Sequence, residues 1–89
     1  MAGTLFLKPN PATSLVEITF FIQTPGEVKF ELFDTFGKPV KVLEFGLLKY
    51  GLYQIPVVLD GINPGTYLCR LSSAQFKSVE KLGCTVKKL

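Results

Sequence analysis

Glu27-Val28-Lys29-Phe30-Glu31-Leu32-Phe33 is the stretch on which the reading of the chain turns. Val28, Phe30 and Leu32 alternate with Glu27, Lys29 and Glu31, a period of two that an extended strand converts into one apolar and one charged face. The first face is expected in the core and the second, Glu31 included, in water. A slip of one residue would bury three charges, so the pattern also sets the register. Asp34-Thr35-Phe36-Gly37 follows as a turn, in which the Asp carboxylate accepts the amide two residues on and Gly supplies a positive φ. Lys38 to Phe45 reads as the returning strand.

The same period recurs on both sides. Leu15 to Ile22 places Val16, Ile18, Phe20 and Ile22 on one face, between Lys8-Pro9-Asn10-Pro11-Ala12-Thr13-Ser14 and Thr24-Pro25-Gly26. The two prolines of the first segment cannot donate ladder bonds and mark a turn. A short strand at Leu5 to Leu7 precedes them. Gly46 to Tyr50 reads as a looser connection and Leu52 to Leu59 as a further strand, which Pro56 assigns to a sheet edge. After the turn cluster Asp60-Gly61-Ile62-Asn63-Pro64-Gly65 comes Thr66 to Ser72, with Tyr67, Cys69 and Leu71 on one face. Ser73-Ala74-Gln75 turns the chain back into Phe76 to Leu82, and Gly83 is expected to kink or bulge that strand before Cys84 to Lys88 continues it. About seven strands at spacings near ~10 residues predict an all-β fold, an antiparallel β-sandwich of immunoglobulin-like size.

Composition narrows the function. The chain has 89 residues, 47% hydrophobic and 19% charged, with no His and no Trp. A domain this small buries little over ~60% of its unfolded surface, so its apolar residues are needed for one core. Without His there is no imidazole base, no Ser-His or Cys-His pair and no His-based zinc site. No Gly-rich phosphate loop precedes a helix, and no cofactor or metal is expected. Asp34 and Asp60 sit in turns where local hydrogen bonding accounts for them, and a calcium-loop spacing is absent. An enzyme is therefore not expected.

The net charge of +3 is unevenly placed: Met1 to Cys69 is close to neutral, whereas Arg70, Lys77, Lys81, Lys87 and Lys88 face only Glu80 in the last twenty residues. A lone Arg argues against nucleic acid. Lysines on a final strand either block sheet-to-sheet pairing or serve recognition. No apolar run suffices for a signal peptide or a transmembrane segment. Met1-Ala2-Gly3 reads as a start added to an excised domain, leaving residues 4–89 as one domain. Cys69 and Cys84 are expected about five residues out of step along the last hairpin, opposite roughly Val79 and Pro64, beyond the ~7 Å reach of a disulfide. They read as buried thiols. Tyr67, just after a Pro-Gly turn, reads as a corner tyrosine tying a loop to the sandwich.

Four segments carry a more specific signal: Leu7-Lys8-Pro9-Asn10-Pro11-Ala12, Phe33-Asp34-Thr35-Phe36-Gly37-Lys38-Pro39-Val40, Asn63-Pro64-Gly65-Thr66-Tyr67-Leu68-Cys69-Arg70-Leu71, and an ending from Lys81-Leu82 to Val86-Lys87-Lys88. In this order and spacing they resemble the type A C-terminal sorting domain of the type IX (Por) secretion system, over nearly the whole chain from Leu5. The resemblance implies an immunoglobulin-like sandwich at the C-terminus of a secreted cargo in Bacteroidetes-type bacteria. It implies a signal read by the outer-membrane translocon, then removal by a cell-surface sortase and attachment of the cargo to anionic lipopolysaccharide. The route implied is the periplasm, then the outer membrane, cell surface or medium. The motif positions carried over are Pro9, Asn10, Pro11, Asp34, Gly37, Pro64, Gly65, Tyr67, Lys81 and Lys87, and the expected recognition element is Lys81 with Val86, Lys87, Lys88 and Leu89. Gly83-Cys84 departs from the family's β-branched last strand. The other reading is an immunoglobulin-like structural or adhesive module of a secreted or cell-surface protein, and an exposed edge strand allows dimerisation by strand addition.

Overall fold

The structure is a computed structural model that describes residues 5–86. Seven strands follow one another: β1 (Leu5–Lys8), β2 (Leu15–Ile22), β3 (Gly26–Phe33), β4 (Pro39–Leu48), β5 (Gly51–Val58), β6 (Gly65–Ser72) and β7 (Lys77–Cys84). They form a three-stranded sheet in the order β1-β2-β5 and a four-stranded sheet in the order β4-β3-β6-β7, every neighbouring pair antiparallel. This is the expected immunoglobulin-like sandwich. Pro56 does lie on an end strand, β5.

The core is built by alternation. Val16, Ile18, Phe20 and Ile22 of β2 face Val28, Phe30 and Leu32 of β3 and Tyr67, Cys69 and Leu71 of β6 across the sandwich, all buried. Phe20 stacks on its cross-strand partner Tyr53 (5.5 Å between centroids) and on Phe45 of the other sheet (6.2 Å), locking the two layers together.

Four expectations are corrected. Glu31 is not in water: it is only 8% exposed, covered on the outer face of the sheet by Arg70 of β6, which stands directly opposite. Strand period assigns a face, but a long neighbouring side chain can dry that face. Second, β4 does not end at Phe45. It continues through Gly46 to Leu48, because a register shift between Val28 and Lys29 lets Gly46, at φ +73°, absorb the extra residue. Third, Gly83 neither kinks nor bulges β7; the ladder runs unbroken through Thr66↔Gly83 to Gly65↔Cys84. Fourth, β7 ends at Cys84, and the expected continuation to Lys88 runs partly outside the described residues.

Cys69 pairs with Glu80 and Cys84 with Gly65, one residue from the expected partners. The offset of four positions along β7 amounts to ~13 Å, and both thiols are free and buried. Burial pushes the Cys69 thiol up to about 12 and raises Cys84 as well. A proton held more tightly by the folded state means stability that is complete below the unfolded thiol value of 9.0 and declines as pH rises towards 12. Unfolding midpoints measured from pH 8 to pH 11 are expected to fall more steeply for the native chain than for Cys69→Ala/Cys84→Ala. Equal slopes would remove the thiols as the cause.

Candidate functional site

The motif segments, far apart in sequence, meet at one end of the sandwich. The ladder Gly65↔Cys84 brings the start of β6 to the end of β7, and Phe33↔Leu68 brings the end of β3 beside them. The turn after β3 is closed by Asp34, whose Oδ1 accepts the Phe36 and Lys38 amides (both 2.9 Å), while the Gly37 amide donates to the Asp34 carbonyl (3.0 Å). Gly37 sits at φ +83°, a backbone region that glycine reaches without a Cβ clash. The expected Asx turn is thus present. Phe36, at its tip, is almost wholly in water.

Tyr67 also takes the expected corner role: its hydroxyl donates to the Asn63 carbonyl and ties the Asn63-Pro64-Gly65 turn back onto β6. Burial pushes the Tyr67 phenol up, and the nearby thiol of Cys84 and carboxylate of Asp34 act in the same direction. The hydroxyl therefore stays protonated, as a donor to a carbonyl must.

The Pro9-Asn10-Pro11-Ala12 segment has a role that no local pattern discloses. Both X-Pro bonds in it are cis, and it runs along the outer edge of β7 as a clasp. The Asn10 Nδ2 donates to the Lys81 carbonyl (2.9 Å) and its Oδ1 accepts the Gly83 amide (3.0 Å). A side-chain amide carries the same donor and acceptor as a peptide, so Asn10 stands in for one residue of a neighbouring strand. Ala12, fully buried, completes the pairing: its amide donates to the Gly83 carbonyl and its carbonyl accepts the Thr85 amide, both 2.8 Å. Gly83 explains the departure in the last strand. A Cβ there would stand 3.2 Å from Pro11 Cβ, tighter than ordinary contact, so a glycine lets the clasp lie a few tenths of an ångström closer to β7 than a side chain would.

The structure therefore joins Asn10 and Lys81 directly, sets Pro11 against Gly83, and places Asp34, Gly37, Pro64, Gly65 and Tyr67 at the same pole. Lys81 is exposed on β7, and Val86 is exposed just beyond it. Lys87, Lys88 and Leu89 lie outside the described residues. Sequence reading missed Ala12 and Gly83 as partners; the Pro-x-Pro segment pointed to a turn, and nothing local tells which strand a turn will cover. Asp60, expected to bond within its turn, makes no side-chain hydrogen bond among the described residues. A groove of about 290 Å³ lies at the other end, between Glu27, Lys29, Glu44 and Ser72, and no motif residue reaches it.

Fold and pole together define a class: an immunoglobulin-like sandwich whose turn motifs gather at one pole and whose final strand is clasped there by the Pro-rich opening segment. A family model described as the secretion system C-terminal sorting domain matches residues 7–84, nearly the whole chain, and the chain belongs to that family. It is a C-terminal sorting domain of type IX secretion. That family is not a catalytic one, and its membership implies an N-terminal cargo, the type IX machinery and export through the outer membrane to the surface or the medium. It favours sorting over the adhesive reading. No curated protein matches the chain. No helix of the described residues is long and apolar enough to cross a membrane.

Proposed function

We propose that the translocon reads this domain at its C-terminal end, through Lys81, Val86, Lys87, Lys88 and Leu89, while the sandwich supplies the platform. The observation that carries this is the pole itself. The clasp braces β7, the Tyr67 corner braces the start of β6 beside it, and Thr85 is held by Ala12 immediately before the last residues. Fixing the base of a tail holds its remaining residues near one position, which lowers the ordering cost of binding. The domain itself is non-enzymatic. A cell-surface sortase removes it after passage through the periplasm and outer membrane and joins the cargo to anionic lipopolysaccharide.

The test is a reporter carrying its own export signal, fused in front of residues 4–89 and expressed in a type IX-competent strain. Surface display is expected, and removal of residues 86–89 is expected to reduce it at least tenfold. Circular dichroism and the melting temperature of the purified domain should stay unchanged, since Val86 is exposed and the core of the described residues ends at Cys84. Undiminished display after the deletion would overturn recognition through the tail.

A further inference from the structure

We propose that the outer face of the four-stranded sheet, on its β6–β7 side, docks a protein partner whose contacting surface is apolar at the centre and acidic around it. This rests on the sorting reading and names the chemistry of the surface that receives the domain. Residues opposite one another across strands share a face, so Leu68 lies beside Lys81, and Val79 lies beside Arg70 and, one strand further, Glu31. Leu68 and Val79 are 45% and 49% exposed, two apolar side chains on neighbouring strands. Arg70 closes on Glu31 at 2.7 Å and compensates it. Lys77 and Lys81 are exposed and, among the described residues, make no ion pair. They frame the apolar pair with uncompensated positive charge.

β7 is the end strand of its sheet, and the clasp covers it only from the Lys81 carbonyl onward, so the face borders an open edge. Charge chooses the occupant. A second copy docked through the same face would set lysine against lysine. The outer face of the other sheet also shows apolar residues, Phe6 and Leu52, but there Lys8 stands opposite Glu17 and the charge is balanced. The β6–β7 face is flat and carries Leu and Val rather than a protruding aromatic wedge, which suits a protein surface better than a lipid interface.

The surface-display assay tests this. Val79→Glu and Lys77→Glu/Lys81→Glu are each expected to reduce display at least tenfold with unchanged melting temperature, because all three side chains are exposed. Lys77→Arg/Lys81→Arg is expected to preserve it. Val58→Glu, equally exposed but on β5 of the other sheet, is expected to have no effect. Native display by both Val79→Glu and Lys77→Glu/Lys81→Glu, while deletion of residues 86–89 abolishes it, would overturn this face and leave the sorting reading standing. Loss of display in all variants including Val58→Glu would also overturn it. So would binding of the purified domain to phosphatidylglycerol vesicles that is lost in Lys77→Glu/Lys81→Glu, which would make the occupant a lipid surface.

Discussion

Arg70→Met is expected to lower the unfolding free energy by about 2 kcal/mol, the range for hydrogen bonds to a charged group and less than for a fully buried ion pair, because the Arg70 side chain is 35% exposed. The Arg70 guanidinium donates to Glu31 Oε1 through Nη2 (2.7 Å) and Nε (3.1 Å), and it lies 4.8 Å over the ring of Phe33. The Glu31 side chain is only 11% exposed. Lys29 Nζ, at 3.9 Å from the other oxygen and half in water, holds the carboxylate more weakly. Without the guanidinium the carboxylate loses two charge-assisted hydrogen bonds while the methionine side chain still covers part of it. The double variant Glu31→Met/Arg70→Met removes the stranded charge as well and is expected within about 1 kcal/mol of the native chain. Urea unfolding of the four members of this cycle gives the coupling. A double variant as unstable as Arg70→Met alone would show that the loss comes from packing on Phe33 rather than from the charge.

Gly83→Val should cost about 2 kcal/mol, although valine is the better strand former. The new Cβ would stand 3.2 Å from Pro11 Cβ, so the clasp has to move outward by a few tenths of an ångström and its hydrogen bonds to β7 lengthen. Asn10→Ala reaches the same end by another route: it removes two hydrogen bonds at an exposed edge, worth about 1 kcal/mol each. In both variants the end of β7 loses its cover and becomes an open edge. Sedimentation is therefore expected to show concentration-dependent association that the native domain lacks. A monomeric and fully stable Gly83→Val variant would mean that the clasp does not protect the edge. In the display assay these variants are expected to fall together with tail deletion, because Thr85 is held only through the same segment.

The two variants mark where sequence reading succeeds and where it stops. Alternation in β2, β3 and β6 is enough to name the inward residues, since a period of two leaves only two faces and the apolar one goes inside. The Asx turn at Asp34 and the corner at Tyr67 are legible for a similar reason: their bonds span two to four residues. Glu31 is misread because its burial depends on a residue 39 positions away. Gly83 is misread because a glycine that breaks a strand and a glycine that admits a neighbour look the same in one dimension.

The chain's own pattern thus determined the strands, their faces, the shorter turns and, through four ordered motifs, the family. Only the tertiary structure decided what those motifs are for. It brought Asn10 against Lys81 and Gly83, across more than seventy positions, and made a Pro-rich opening the clasp of the closing strand. Short-range hydrogen bonds and periodicity are written into neighbouring residues, whereas an edge finds its cover only after two sheets have packed and set which segments lie side by side.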